Sequence, residues 1–83
     1  FRQVCENLKT IVEDRGGTLQ DVVKLTIFIL DREDYKAKGK AIGQVYRDYF
    51  GRHYPAMSLI EVKGLYHEAE GVMIEIEGIA VLP

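Results

Sequence analysis

Residues 21–30 place the tightest constraint on what this chain can fold into. Val22, Val23, Leu25, Ile27, Phe28, Ile29 and Leu30 are β-branched or bulky and nearly continuous; Lys24 and Thr26 interrupt one face only. Such side chains fit a pleated strand. A strand apolar on both faces must be covered on both, so the segment predicts a central strand with helices on one side and a second shield on the other. The remaining segments have to supply those covers.

Two of them carry helical periodicity. In residues 2–15, Val4, Leu8, Ile11 and Val12 fall on one face of a helix, and Gly16-Gly17 ends it by taking the left-handed conformation at little cost. In residues 32–50 the stripe is Ile42, Val45, Tyr46, Tyr49 and Phe50, with Asp31 or Asp34 as the N-terminal cap and Gly51 as the stop. Gly39 and Gly43 lie inside that span, and each costs about 1 kcal/mol relative to alanine, which predicts irregular first turns.

The C-terminal part reads as two strands. In residues 55–62, Met57, Leu59 and Glu61 alternate with Ser58, Ile60 and Val62. In residues 72–81, Val72, Ile74, Ile76 and Ala80 oppose Met73, Glu75, Glu77 and Ile79. The polar stretch 63–71 joins the two. The order α-β-α-β-β predicts an α+β fold, residues 1–83 forming one domain, with two helices on one face of the sheet and the last two strands paired as a hairpin. The opposite face is expected to carry Met57, Leu59, Glu61, Glu75 and Glu77, or part of that set. A face that mixes apolar side chains with carboxylates suits a subunit interface lining a pocket better than it suits water.

Length sharpens that expectation. A chain of 83 residues buries about 60–65% of its unfolded surface, so its core is thin and oligomerisation or a further segment is expected. The chain starts at Phe1, without Met, inside a helical pattern, which points to an earlier start of the polypeptide. Net charge is −2, which gives no reason to bind nucleic acid or an anionic membrane. No apolar run reaches the roughly 18 residues of a membrane helix. The one cysteine, Cys5, cannot form an internal disulfide and reads as a structural thiol in a cytoplasmic protein.

Few groups offer chemistry. His53 and His67 fall in loops, read as solvated rather than catalytic, and lack metal-ligand spacing, so no metal is expected, and no glycine-rich loop follows a strand to hold a nucleotide cofactor. Lys36, Lys38 and Lys40, with Arg32 upstream, read as a solvated helix face balanced by Glu33 and Asp34. Glu75 and Glu77, two apart on a strand, share a face. Paired carboxylates can divide into acid and base, or can simply bind lysine or arginine of a neighbouring subunit.

Three segments, in order, resemble the Rid/YjgF family, also called the UK114 or endoribonuclease L-PSP family. The first runs from Asn7-Leu8 through Gly16-Gly17 to Asp21-Val22-Val23-Lys24-Leu25-Thr26-Ile27-Phe28. The second is Pro55-Ala56-Met57-Ser58-Leu59-Ile60-Glu61-Val62, similar to the family's P-A-R-S-x-V-E-V. The third is Ile74-Glu75-Ile76-Glu77-Gly78-Ile79-Ala80, similar to V-E-I-E-x-I-A. The resemblance implies a chorismate-mutase-like fold and a homotrimer with a small-molecule ligand in each intersubunit cleft. It also implies an N-terminal β-hairpin that this chain lacks. The implied activity is hydrolytic deamination of a reactive imine or enamine. Glu75 matches the glutamate that positions the attacking water, and Tyr35, Met57, Ser58 and Leu59 match cleft positions. The family's substrate-clamping arginine is Met57 here, the common cysteine is Leu59, and an asparagine on the second helix aligns loosely with Gly43. A thioether cannot grip a carboxylate as a guanidinium does. The resemblance therefore implies either a deaminase for an uncharged or ring-bearing substrate, such as a 2-aminomuconate-like imine, or a non-catalytic trimer that binds a metabolite. The family's older label, RNA cleavage, is at odds with the charge.

Overall fold

The computed structural model describes residues 1–66, 68–71 and 73–83, with the backbone alone for Glu70; His67 and Val72, read above as a solvated loop residue and a strand start, lie outside the described residues. The elements are α1 (Arg2–Asp14), β1 (Val22–Ile29), α2 (Arg32–Ala37), α3 (Gly39–Phe50), β2 (Ala56–Glu61) and β3 (Ile74–Ala80), with short 3₁₀ turns at Leu19–Asp21 and Glu68–Glu70.

α1 buries a stripe turned slightly from the expected one. Cys5 and Val12 are buried, Leu8 packs against the core, and Ile11 is 63% exposed. Past its end, the Gly17 N–H donates to Val12 O and the Gly16 N–H to Glu13 O, both at 3.0 Å, with Gly16 at φ 87°. This paired closure satisfies two of the carbonyls a helix end leaves open. The 3₁₀ turn that follows is fixed by Thr18 and Asp21. Thr18 N–H donates to Asp21 Oδ2 at 2.8 Å, and Thr18 Oγ1 accepts from Gln20 N–H at 3.2 Å. The turn drives Leu19 into the core.

The span 32–50 is two helices rather than one. Asp31 caps α2, its carboxylate accepting from Asp34 N–H at 3.0 Å, and the chain breaks at Lys38 before Gly39 opens α3. The break falls where glycine makes helical backbone costly. α3 then buries Tyr46 and Phe50, whose rings stack at 4.7 Å. Phe50, Leu25, Ile27, Val22 and Cys5 are the largest sealed side chains. Fully burying an apolar side chain of this size stabilises by roughly 1.5–3 kcal/mol.

The sheet order is β2-β1-β3, β1 parallel to β2 and antiparallel to β3. The expected central strand is therefore central, but β2 and β3 do not form a hairpin. α2 and α3 make the crossover that a parallel β1–β2 pair requires. Residues 63–71 then carry the chain to the other side of β1, with Leu65 buried on the way. β1, the most apolar strand, takes the central place, where its helix side is sealed while Val23 and Lys24 stay exposed and Phe28 half-buried.

Register decides the faces. Met57, Leu59 and Glu61 stand beside Leu25, Ile27 and Ile29, on the helix side; Ile76 and Ile74 join that side from β3. Of the set expected on the face opposite the helices, Glu75 and Glu77 lie there, whereas Met57, Leu59 and Glu61 do not. The helix-free face carries Lys24, Thr26 and Phe28 of β1, Ala56, Ser58 and Ile60 of β2, and Glu75, Glu77 and Ile79 of β3. The helices cover β1 and β3 but leave β2 bare: all six of its residues are exposed, including Met57 (47%), Leu59 (40%) and Ile60 (42%).

Candidate functional site

Glu75 follows Ile74 at the start of β3. It faces away from the helices, opposite Phe28 in the register, and is half-buried. It also borders an apolar groove of about 570 Å³ between α1 and the free edge of β3, walled by Val4, Leu8, Ile11, Met73 and Ile76, with Asn7 and Gln3 as polar points. The groove exists because, among the described residues, β3 pairs only with β1, so one edge of its backbone stays open along α1.

Tyr35 lies on α2, just past the end of β1. It is half-buried, and its ring meets Phe1 edge-on at 6.4 Å. Burial pushes its hydroxyl above the ordinary tyrosine range, with Cys5 adding to the effect. It borders a second hollow, of about 140 Å³, with Ile42, Asp34 and Lys38. Met73 and Ile74 wall both hollows, so Tyr35 and Glu75 sit at the same end of the sheet.

Met57, Ser58 and Leu59 lie elsewhere. They belong to β2, across β1 from β3, about two strand spacings or 9–10 Å away. Ser58 shares the helix-free face with Glu75, whereas Met57 and Leu59 point to the helix side. One chain therefore places Tyr35 and Glu75 at the same end of the sheet but on opposite sides of it, and cannot close a pocket over all five residues.

Two side chains hold this frame in ways the sequence did not signal. Glu61, expected on the open face, accepts from the Arg32 N–H at 2.8 Å and ties the end of β2 to the start of α2. His53, expected in solvent, places Nε2 2.6 Å from Val22 O, and its own carbonyl accepts from the Tyr46 hydroxyl at 2.7 Å. It pins the loop that leads into β2. Cys5 is fully buried, and desolvation pushes its thiol up to about 11, as expected of a structural thiol. Among the described residues no helix is long and apolar enough to cross a membrane.

A small α+β layer with a parallel β2–β1 pair, an antiparallel β3 and one uncovered sheet face defines a chorismate-mutase-like domain. The sequence profile of the family described as Endoribonuclease L-PSP matches residues 1–82. A RutC family protein of Pyrococcus horikoshii is 44% identical over 79 residues, covering 95% of this chain and 57% of that protein. The 2-iminobutanoate/2-iminopropanoate deaminase of Salmonella typhimurium is 40% identical over 83 residues, covering 96% and 59%. A solved structure from Thermotoga maritima superposes with a TM-score of 0.81 at 44% identity, covering 99% of this chain and 59% of that one. RidA from an Antarctic Psychrobacter superposes at 0.79 with 32% identity, covering 98% and 60%. The chain belongs to the Rid/YjgF/UK114 family, the endoribonuclease L-PSP family. It spans less than two thirds of the length of these relatives.

Proposed function

We propose that this chain acts as an imine or enamine deaminase of the Rid kind. Water adds to the carbon of a C=N bond, the resulting aminol collapses, ammonia leaves and a carbonyl product remains. Glu75 accepts a hydrogen bond from the water and orients its lone pair toward the imine carbon. The observation that carries this reading is the place of Glu75: half-buried, at the mouth of an apolar groove, in the strand segment that matches the family's E-I-E. A 40% identical relative named as a deaminase supports it.

Because Met57 and Leu59 face away from Glu75, the reading requires at least two copies of the chain, and a homotrimer with one cleft per subunit pair is its natural form. Tyr35 lines the cleft near Glu75. Backbone groups around Ser58 hold the substrate, while Met57 and Leu59 present an apolar surface where the family has a cation. The substrate class is then an imine whose part facing β2 is uncharged or a ring, a 2-aminomuconate-like species included. The protein carries this out in the cytoplasm without a cofactor.

Met57 also favours a second reading, a non-catalytic trimer that binds a small metabolite, since the clamp for a substrate carboxylate is gone. One assay separates the two. An imine is generated in place, 2-aminoacrylate and a ring-bearing imine in parallel, and carbonyl release is followed with native protein and Glu75→Ala. Acceleration by native protein that Glu75→Ala abolishes supports the deaminase; no acceleration of either imine, with saturable ligand binding retained, supports the binder.

A further inference from the structure

Two hollows meet at the Glu75 end of the sheet, and among the described side chains that line them Lys38 is the one cation. Lys38 stands in the break between α2 and α3, over the smaller hollow. Its ammonium lies 3.0 Å from Asp34 Oδ2, one helical turn earlier, and both side chains are largely open to water, at 63% and 41%. A pair so exposed holds its partners weakly. It also takes up one of the three ammonium donors and leaves two. The floor below is apolar, made by Ile29, Ile42 and Ile74. Tyr35 lines the same hollow, and its hydroxyl makes no hydrogen bond among the described residues. Met73 and Ile74 wall both this hollow and the groove of Glu75. Met73 is 53% exposed, and the edge of β3 beyond it has no strand partner among the described residues. A ligand laid over Met73 and round that open edge touches both sides of the sheet.

We propose that Lys38 holds the substrate carboxylate in this chain, where Met57 has replaced the arginine, and that the substrate is an imine whose carboxylate lies far from its C=N bond. Such a substrate lies across Met73. Its C=N carbon meets the water on Glu75, and its far carboxylate accepts hydrogen bonds from the Lys38 ammonium and the Tyr35 hydroxyl. Asp34 then acts in two ways. It fixes Lys38 over the hollow before the ligand arrives, and it competes with the ligand for the same ammonium. Asp31 adds a second negative charge to the wall. A short anion therefore gains little here. The apolar floor has to contribute, which selects a long acid with an apolar or ring-bearing body. In 2-aminoacrylate the carboxylate sits on the carbon that bears nitrogen, so it cannot reach Lys38 from Glu75. An ammonium is a point charge rather than a planar fork, so it selects charge and length and leaves the plane of the substrate free. The inference rests on the deaminase reading for the bond that reacts, and on the hollow alone for the carboxylate.

The test uses two imines with one ring, generated in place by a flavin amine oxidase from benzylamine and from 4-(aminomethyl)benzoate; only the second carries a far carboxylate. Aldehyde release is followed with the full chain as native protein, Lys38→Met, Lys38→Arg and Asp34→Asn, each checked for folding by circular dichroism. Binding of 4-(hydroxymethyl)benzoate is measured by calorimetry on the same proteins. Native protein should prefer the carboxylated imine by about tenfold in kcat/KM. Lys38→Met should remove that preference through the KM of the carboxylated imine rather than through kcat, and Lys38→Arg should keep it. Asp34→Asn, which frees the ammonium, should lower that KM by about threefold. Binding of 4-(hydroxymethyl)benzoate should weaken about tenfold in Lys38→Met. No preference in native protein, a preference that survives in folded Lys38→Met, or one lost equally in Lys38→Arg would overturn the assignment. If native protein releases aldehyde from neither imine, the deaminase reading falls and the binding series decides Lys38 by itself. Weaker binding in Lys38→Met then upholds the assignment, whereas equal affinity, or no binding to native protein, overturns it.

Discussion

Met57 and Glu75 stand on opposite faces of the same sheet, with β1 between them. In one chain the residue that replaces the family's clamp and the residue that orients water cannot meet, so any joint effect passes between copies. Met57→Arg is therefore expected to bring release of keto acid from 2-aminoacrylate up by about tenfold to a hundredfold, in line with one bidentate contact made to a carboxylate. The ring-bearing imine should lose activity in the same variant. Mixing native protein with a Met57→Arg, Glu75→Ala double variant and measuring keto-acid release checks the arrangement. Only mixed assemblies then contain clefts with Glu75 from one copy and Arg at position 57 from another, and these should be active. An equal gain with a Glu75→Ala, Met57→Arg double variant alone would remove Glu75 from the mechanism.

The glycines divide by backbone, and substitution should show it. Gly16 sits at φ 87° with open space around it, so Gly16→Ala meets no clash and only strain. It should destabilise by about 1–2 kcal/mol. Gly43 has ordinary helical backbone, and a Cβ there would meet only the flexible end of Arg47 at 3.4 Å. Gly43→Ala should stabilise by about 0.5–1 kcal/mol. Urea unfolding of the two variants, with equal slopes, decides both signs.

The central strand was legible because its signal is local: seven large apolar residues in ten call for the central place in the sheet, where the helix side is sealed and the other face only partly covered. Irregularity near Gly39 was legible for the same reason, but the split of residues 32–50 into two helices was not, and Gly43 lies inside regular α3. The placing of β2 was not legible either. Alternation within residues 55–62 fixes that Met57 and Leu59 share a face, but which face depends on the pairing of Met57 with Leu25, a contact 32 positions away. Val22 shows a second limit. Val22 and Leu25 are both buried although their spacing is odd, because the pairing to β3 shifts between Val22 and Lys24 and leaves Val23 exposed at 47%. A bulge of this kind reverses parity without marking the sequence. In the candidate site, Glu75 was named by resemblance, whereas its separation from Met57 across the sheet appears only once three strands are in register.

Phe50 joins the helices to the sheet. It is fully buried, stacks on Tyr46, and its carbonyl accepts from Gln20 Nε2 at 3.1 Å, linking the end of α3 to the turn before β1. Phe50→Ala should cost about 3–5 kcal/mol, since neighbours in a close-packed core fill the vacated space only in part. For a chain of this size that is a large share of total stability. Chemical denaturation should show a strongly lowered midpoint or a protein already unfolded, while Phe50→Leu should keep most of the stability. A midpoint for Phe50→Ala close to native would mean that this part of the core is not packed as the structure shows.

Cys5 gives stability a pH dependence whose sign follows from its burial. Desolvation lifts the folded thiol to about 11 from an ordinary value of 9.0. Below pH 9 the thiol is protonated in both folded and unfolded chains, so the shift has no effect on stability there. Between pH 9 and 11 the unfolded chain releases the proton while the folded chain retains it, so the unfolded state binds fewer protons and stability falls as pH rises. Above about 11 both forms are ionised and the loss stops growing. Tyr35 and Tyr46, both raised by burial, add a loss of the same sign at higher pH, and they remain in a Cys5→Ala variant. The thermal midpoint of native protein should therefore drop more steeply between pH 9 and 11 than that of Cys5→Ala, with the two curves parallel below pH 9. Parallel curves across the whole range would show that the Cys5 thiol ionises as readily in the folded chain as in the unfolded one, and that this part of α1 is open to water.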